Sequence, residues 1–317
     1  MTAAPLNGWI YHGARGFEGH LREEIGQWSS RWGELYHGGA AETPAFWNQN
    51  IWLSPFRLSF DSISEASQAL RGIQRNWCLT NTAHFRRAAL IQSRLPPLAS
   101  ASKARVFPWF APRAPMGSWT LLDPHTIVAS ARCTSPFPGG AVSFAEDKTG
   151  PPSRAYLKLW EALSRCRRCP LNGERCLDAG ASPGGWTWAL ARLGADVTAV
   201  DRAPLADRVT AMPRVRWLKH DAFTLKPRDI GALQWLFCDA ACYPPRLYTW
   251  IEAWRASGLC ENFVCTIKMQ GKPDMETARR FASIAESAVV HLFYNKHELT
   301  WIKVPPQEEA PRRGGAR

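Results

Sequence analysis

The chain has 317 residues, of which 45% are hydrophobic, and 16 of them are tryptophans. This composition excludes a disordered chain, and the length suits one large domain or two ordinary ones. The formal net charge of +12 fits a polyanionic partner such as a nucleic acid. No apolar run is long enough for a transmembrane helix, and no secretory signal is evident, so we expect a cytoplasmic protein without a membrane partner.

Residues 1–95 indicate a small α+β domain. The segment Gly16–Ile25 has the pattern of an amphipathic helix start, and Asn50–Phe60 alternates like a strand. Residues 96–152 are crowded with Pro, Gly and Ser, which predicts a linker that contains one short strand, Thr126–Ala131. The Pro/Gly/Arg-rich residues 305–317 predict a disordered basic tail.

The nine cysteines are an odd number scattered along the chain, as expected of reduced cytoplasmic thiols. Cys166 and Cys169 form a CxxC pair, and Cys176 follows them. Together they resemble part of a zinc site, but no second CxxC and no histidine pair completes it. The sequence therefore predicts no metal.

The segment from Asp178 to Asp201, DAGASPGGWTWALARLGADVTAVD, has glycines at a strand-to-helix turn. A short apolar strand, 175–178, precedes the turn, and a β-branched strand, Asp196–Asp201, ends the segment. The apolar positions between them recur with the period of a helix, namely Trp186, Ala189, Leu190 and Leu193. This is the strand–helix–strand arrangement of nucleotide-binding sheets.

Two common phosphate-binding motifs do not fit this turn. The dinucleotide motif G-x-G-x-x-G requires a glycine where Ser182 stands. The phosphate loop G-x-x-x-x-G-K-[ST] fits at Gly180 and Gly185, but Trp186 replaces its lysine. A turn without that cation suits a cofactor with adenosine and no phosphate, of which S-adenosylmethionine is the common one. Asp201 is placed like the acidic residue that binds ribose hydroxyls in such sites.

From Ser153 to residue 304, predicted helices and strands alternate. The pattern predicts a doubly wound, mostly parallel seven-stranded sheet that ends in an antiparallel edge hairpin, the layout of Rossmann-like class I methyltransferases. The predicted strands are 175–178, 196–201, Val215–His220, Gln234–Cys238, Phe263–Lys268, Val289–Tyr294 and Leu299–Val304.

Ionisable residues stand at the carboxyl ends of the predicted strands, where ligands bind in such sheets. In chain order these are Asp178, Asp201, Asp221, Asp239 and Lys268. Glu298 begins the second hairpin strand, and Lys158 lies on the helix before the sheet. Singly, each has an ordinary explanation as a solvated residue, but Lys, Asp and Glu avoid buried positions, so the whole set indicates a site.

The chain resembles FtsJ-type 2'-O-ribose RNA methyltransferases, because DAGASPGGWT is similar to their cofactor motif. Lys158, Asp239, Lys268 and Glu298 match their K-D-K-E tetrad in order and spacing. The resemblance is closest to the bacterial RlmM type, which methylates a cytidine ribose of 23S ribosomal RNA. It is carried by the segments GFEGHLREEI, PSRAYLKLWEA, SPGGWTW, VTAVDRAPLA and VRWLKHDAF.

The resemblance implies a role for each site residue. Lys268 would be the general base, since burial beside a second cation, Lys158, favours the neutral form of a lysine. Asp239 would orient Lys268 near the sulfonium, and Glu298 would hold the lysines and the 2'-hydroxyl. The residues implied in binding S-adenosylmethionine are Asp178, Gly180, Ser182, Pro183, Gly184, Gly185, Trp186, Asp201, Asp221 and Asp239.

The implied partner is RNA, ribosomal RNA first, bound by a monomer whose N-terminal domain contacts the RNA. The chain departs from the RlmM type in a stretch before the catalytic domain that is too short and Pro-rich for a full THUMP domain. It also has Ala155 where the family can have serine.

Two alternatives stay open: a 2'-O-methyltransferase of transfer or messenger RNA, and a non-catalytic protein that binds S-adenosylmethionine and RNA. An NAD-dependent oxidoreductase is disfavoured by Ser182.

Overall fold

The computed structural model describes residues 3–98 and 104–305, which fold into two compact units. The first unit consists of the chain up to Glu146 together with Val290–Leu299. The second consists of Asp147–Val289 and the described residues from Thr300 onward. The predicted disordered tail lies outside the described residues apart from Pro305, so it stays a prediction.

The first unit contains two five-stranded sheets, with strand orders β1-β6-β9-β8-β7 and β10-β5-β2-β4-β3. Its elements are β1 (Ala4–Pro5), β2 (Trp9–Gly13), α1 (Glu18–Ile25), β3 (Trp28–Trp32), β4 (Leu35–Gly38), β5 (Asn48–Leu53), β6 (Phe56–Ser59), α2 (Ile63–Ile73), β7 (Trp77–Leu79), α3 (Phe85–Gln92), β8 (Gly117–Asp123), β9 (Thr126–Ser130) and β10 (Arg132–Cys133).

Apolar residues at alternate strand positions and at helical spacing build the core of this unit. Helices α2 and α3 cover one face of the first sheet, and Trp77 and Trp119 are fully buried there. The two sheets share a smaller cluster in which Val128 of β9 meets Ile10 and Trp52 of the second sheet. Burial of these large side chains is the main force that holds the unit together.

Instead of the linker predicted over residues 96–152, the structure has strands that belong to the first unit. Strands β8 and β9 lie inside the first sheet, where β9 pairs antiparallel with both β6 and β8. The unit therefore extends to Glu146 rather than ending near residue 95. The prolines mark turns between strands, as Pro124 does between β8 and β9. The predicted strand Thr126–Ala131 is confirmed as β9, whereas the Pro-rich composition masked its partner β8.

The described residues from 147 onward form a seven-stranded sheet in the order β13-β12-β11-β14-β15-β17-β16, which confirms the predicted seven-stranded α/β sheet. Most of this sheet belongs to the second unit, while Val290, Glu298 and Leu299 are counted with the first. The elements of this region are α4 (Tyr156–Cys166), β11 (Arg175–Ala179), α5 (Gly185–Arg192), β12 (Asp196–Asp201), α6 (Asp207–Thr210), β13 (Val215–Lys219), α7 (Pro227–Ile230), β14 (Leu233–Cys238), α8 (Pro244–Ser257), β15 (Cys260–Lys268), α9 (Met275–Ala282), β16 (Ser287–Val290) and β17 (Glu298–Lys303).

The strand order places a switch point between β11 and β14. From β11 the chain proceeds outward through β12 and β13, then crosses to β14 on the other side, and all these neighbours pair in parallel. Leu236, Phe237 and Cys238 are fully buried, as expected of a strand with both faces covered. Crevices for ligands open at such switch points, outside the carboxyl ends of the strands.

The predicted edge hairpin is formed by β16 and β17, which are neighbours at one end of the sheet. The connection 291–297 is too short for a parallel crossover, so the pair is antiparallel. The predicted boundaries shift, because the strand predicted over Val289–Tyr294 lies at Ser287–Val290 as β16. A positive φ of 57° at Glu286 marks the sharp turn that separates the helix from the strand.

Candidate active site

The site forms at the switch point, where the glycine turn after β11 faces the loop after β14. Gly180 has a φ of +74°, and a Cβ on it would lie 2.4 Å from the Cα of Ala240. A side chain at this position would therefore meet the backbone of the neighbouring loop, so only glycine lets the two loops approach this closely.

Asp201 at the end of β12 ties the glycine turn to its neighbour strand. Its Oδ2 accepts the backbone N–H of Ser182 at 3.0 Å, and its Oδ1 accepts that of Ala203 at 2.9 Å. The Ser182 hydroxyl donates to the Pro204 carbonyl at 2.9 Å. These bonds fix the orientation of the Asp201 carboxylate and leave lone pairs on both oxygens for a ligand.

The rest of the turn serves packing at the start of α5. Gly184 has a φ of +110°, and a Cβ on Gly185 would lie 2.5 Å from the Ser153 hydroxyl. Trp186 is 3% exposed and its indole N–H donates to the Ala155 carbonyl at 2.8 Å. The residue in place of the phosphate-binding lysine is therefore a core residue.

A cavity of about 370 Å³ lies in front of these loops. Of the predicted site residues, its lining in the described chain includes Gly180, Ser182, Asp201, Asp221, Asp239 and Lys268. The lining also includes residues that sequence reasoning missed, namely Arg202, His220, Phe223 and Arg246. The remaining predicted cofactor residues, Asp178, Pro183, Gly184, Gly185 and Trp186, are not among the described lining residues, and neither is Lys158.

Asp178 lies behind the cavity, fully buried in β11. Thr187 of α5 donates to its Oδ2 at 2.6 Å, and its Oδ1 has no partner in the described part of the molecule. Burial raises the pKa of Asp178 to about 7. The hydrogen bonds from Thr187 act in the opposite direction, while the negative charges of Asp239 and Asp201 raise the pKa further. The structure thus gives Asp178 a place under the glycine turn rather than in contact with the cavity.

Lys158 and Lys268 converge on the carboxylate of Asp239. Lys158 Nζ lies 2.7 Å from Oδ1 and 2.9 Å from Oδ2, while Lys268 Nζ lies 2.9 Å from Oδ1. Burial alone would raise the pKa of Asp239, but the two ammonium groups outweigh it and hold that pKa below its usual value. The site therefore contains an ionised carboxylate between two lysines that reach it from α4 and β15.

Glu298, the fourth predicted tetrad residue, is the first residue of β17 and is 7% exposed. It belongs to the first unit, whereas Lys158, Asp239 and Lys268 belong to the second. Its place in the tetrad stays a prediction.

Asp221 carries partners that the sequence did not predict. Its Oδ1 accepts the backbone N–H of Phe223, and its Oδ2 lies 3.1 Å from Arg246 and 3.8 Å from Arg202. Burial is the largest single influence and would raise the pKa of Asp221, but the Phe223 N–H and the two arginines together outweigh it and lower that pKa. The Arg246 guanidinium also lies 4.8 Å from the centre of the Phe223 ring. Arginines are abundant in this chain, so no sequence signal marked these two.

The three cysteines considered as part of a zinc site are free thiols. Burial raises the pKa of Cys166 to about 11 and that of Cys169 to about 12, so neither is a ready thiolate ligand. Among residues 3–98 and 104–305, no three His, Cys, Asp or Glu side chains are grouped so as to hold a metal ion. The helices described there are also too short or too polar to span a membrane.

Residues 151–301 match the model of the FtsJ-like methyltransferase family. The ribosomal RNA large subunit methyltransferase M of Azoarcus sp. is 37% identical over 47% of this chain and 45% of its own length. The protein of that name from Xanthomonas campestris pv. campestris is 30% identical over 75% of this chain and 68% of its own length. The chain belongs to the family of the ribosomal RNA large subunit methyltransferase M.

This membership confirms the predicted family, a family of methyltransferases whose cofactor is S-adenosylmethionine. The chain matches about 45% of the length of each of the Azoarcus and Thauera relatives. A solved structure, the Methanococcus jannaschii fibrillarin pre-rRNA processing protein, superposes with a TM-score of 0.36 at 16% identity, over 48% of this chain and 75% of that chain. A likeness of that size says nothing about function.

Proposed function

We propose that the protein transfers a methyl group from S-adenosylmethionine to a ribose 2'-hydroxyl of RNA, with a cytidine of 23S ribosomal RNA as the target. The observation that carries the proposal is the Lys158–Asp239–Lys268 arrangement, whose Asp239 and Lys268 line the cavity at the switch point. Family membership and the net charge of +12 support it.

The cavity suits an adenosine cofactor without phosphates. The Asp201 carboxylate is held by two backbone N–H groups and has lone pairs left for the ribose hydroxyls. Asp221 has Arg202 and Arg246 on Oδ2 and the Phe223 N–H on Oδ1, which leaves a lone pair on Oδ1 for an adenine amino group. The position of a phosphate-binding lysine is filled by the buried Trp186. When bound, S-adenosylmethionine supplies an electrophilic methyl group on a sulfonium.

Lys268 is the better candidate for the general base. Lys158 donates to both oxygens of Asp239 and its side chain is 9% exposed, whereas Lys268 contacts one oxygen and is 25% exposed. To act as a base, Lys268 must first lose one proton, which leaves Asp239 paired with the Lys158 ammonium. Lys268 Nζ would then take the proton of the 2'-hydroxyl as that oxygen forms its bond to the transferred methyl group, whose bond to sulfur breaks, while Lys158 keeps Asp239 in place.

The fourth tetrad residue and the RNA substrate are proposed from the family resemblance and from the name that the relatives carry. Glu298 would be the fourth tetrad residue and would orient the reacting groups. The relatives' name supports a large-subunit ribosomal RNA as substrate. The first unit, with its two sheets, would contribute to RNA binding.

The test is transfer of tritiated methyl groups from S-adenosylmethionine to an unmodified transcript of 23S ribosomal RNA. A 2'-O-methyl group blocks alkaline cleavage of the adjoining phosphodiester, so the label should remain in an alkali-resistant dinucleotide that begins with cytidine. Label that ends in single nucleotides would indicate base methylation and overturn the proposal. Binding of S-adenosylmethionine without transfer to this, transfer or messenger RNA would favour the non-catalytic alternative.

Asp201→Ala serves as the companion variant. It should weaken S-adenosylmethionine binding at least about tenfold in calorimetry, because it removes the proposed ribose acceptor and the anchor of the glycine turn. Asp207→Asn, at an exposed acidic residue six positions on, should leave that affinity unchanged.

A further inference from the structure

Two large apolar side chains among the described residues of the second unit are mostly exposed to solvent. Leu171 is 60% exposed and lies before β11, at the amino end of the sheet. Tyr243 is 65% exposed and follows β14, at the carboxyl end. Proteins that bind single-stranded nucleic acids use aromatic side chains as platforms on which bases stack.

The backbone beneath Tyr243 is held firmly. Its carbonyl accepts the N–H of Arg246 at 3.1 Å and that of Leu247 at 3.3 Å, and Pro244 and Pro245 start helix α8. Within the described residues, the Tyr243 ring packs against no other ring and its hydroxyl makes no hydrogen bond. A ring that is exposed, fixed at its base and not used by the fold can present a flat face to a ligand.

The segment that carries Tyr243 starts at the reacting centre. It begins with Asp239, and Ala240 and Ala241 line the cavity. Burial raises the pKa of the next residue, Cys242, to about 11, although the positive charges of Arg246 and Lys268 nearby act to lower it. Tyr243 is thus attached to a loop that lies within electrostatic reach of the proposed base.

We propose that Tyr243 positions the RNA substrate by stacking on an unpaired base at or beside the target nucleotide. This inference rests on the proposed function. Proteins that recognise RNA by sequence bind mostly single-stranded loops and bulges, whose unstacked bases stack on aromatic side chains. Arg202 and Arg246, whose side chains are 77% and 51% exposed, provide positive charge for the adjoining phosphates.

The experiment measures initial rates of methyl transfer to the 23S transcript under multiple turnover, at saturating S-adenosylmethionine and varied RNA concentration. Tyr243→Ala should lower kcat/KM for RNA between about fivefold and about a hundredfold, the range of one base–aromatic stack. Tyr243→Phe and Tyr243→Trp should retain most of the wild-type value. Leu171→Ala, equally exposed at the other end of the sheet, should match wild type, and calorimetry should give unchanged S-adenosylmethionine affinity for all four variants.

Three results would overturn the inference: wild-type RNA kinetics for Tyr243→Ala, an equal loss for Tyr243→Phe, or an equal loss for Leu171→Ala. If wild type transfers no methyl group, the proposed function fails instead. Equilibrium binding to the same transcript then decides the inference, because Tyr243→Ala should still bind more weakly than Tyr243→Phe. Equal binding by these two variants would refute it.

Discussion

Lys158 bonds to both oxygens of the Asp239 carboxylate, while Lys268 bonds to Oδ1 and is more exposed. This difference leads to a prediction for Lys268. Lys268→Ala should reduce single-turnover methyl transfer by at least about a hundredfold while S-adenosylmethionine affinity stays near wild type, because a general base contributes about 10²–10⁴. Lys268→Arg should be almost as damaging, since a guanidinium stays protonated and cannot accept the proton. Lys272→Ala, which removes an exposed charge four residues on, is the control. Near-normal rates for Lys268→Arg would contradict the assignment of the base.

Asp178 predicts a pH dependence of stability. Its pKa is about 7 in the folded protein, against an ordinary value of 3.8, because it is buried. Between pH 4 and pH 7 the unfolded chain has lost the proton that the folded protein keeps, so this residue makes stability fall as pH rises through that window. Asp178→Asn should therefore be more stable than wild type at pH 8, by at most about 4 kcal/mol, with the difference vanishing near pH 4.

Thermal unfolding without cofactor, across a pH series, measures this effect. Asp207→Asn, at an exposed carboxylate, should show the same pH profile as wild type. A constant difference between Asp178→Asn and wild type from pH 4 to pH 8 would show that Asp178 does not titrate in this window.

At the scale of elements, the glycine turn after β11 owes its shape to contact with the loop after β14. Gly180→Ala should destabilise the protein by about 1–3 kcal/mol and weaken S-adenosylmethionine binding, because the new Cβ would lie 2.4 Å from Ala240 Cα. Gly173→Ala is the matched control, since Gly173 has a similar φ of +80° but open space around it. It should show the cost of a left-handed backbone alone, about 1–2 kcal/mol, with normal cofactor affinity.

Denaturant unfolding and calorimetry on both variants separate the two causes. If Gly173→Ala weakened cofactor binding as much as Gly180→Ala, the close approach of the two loops would not explain the need for glycine. The sequence identified this turn because glycine spacing is a local property, but it did not reveal Ala240 as the reason, since that residue is distant in the chain.

At the scale of the whole molecule, the net charge of +12 predicts an electrostatic mode of RNA binding. Affinity for the 23S transcript should fall at least about tenfold between about 50 mM and about 200 mM salt, because bound counterions are released from the phosphates. Replacing Arg312, Arg313 and Arg317 by Ala should flatten the slope of log affinity against log salt by about 2, at about 0.7 for each phosphate contact on a single strand.

Filter binding over a salt series checks both statements. An affinity that does not change with salt would refute the electrostatic mode, and an unchanged slope for the triple variant would exclude the three arginines from phosphate contact. Tyr243→Ala should shift the affinity but keep the salt slope, because stacking involves no phosphate.

By itself, the sequence determined the order of the strands and helices in the second unit, the glycine turn and the residues at the strand ends. These follow from short-range patterns: apolar periodicity, glycine at turns and charged residues directly after apolar runs. It predicted strand β9 as Thr126–Ala131 but missed strand β8 and the place of both strands in a sheet, since β9 pairs with residues 56–59 and a local Pro-rich composition gives no hint of them.

Only the tertiary structure decided which predicted residues meet. It brought Lys158 and Lys268 to Asp239, although these residues are separated by 81 and 29 positions in the chain. It also moved Asp178 and Trp186 into the core, and it placed Arg246 on Asp221. The physical reason is that parallel strands align their carboxyl ends at one edge, whatever their distance in sequence, while the side that each group faces depends on packing from both layers of helices.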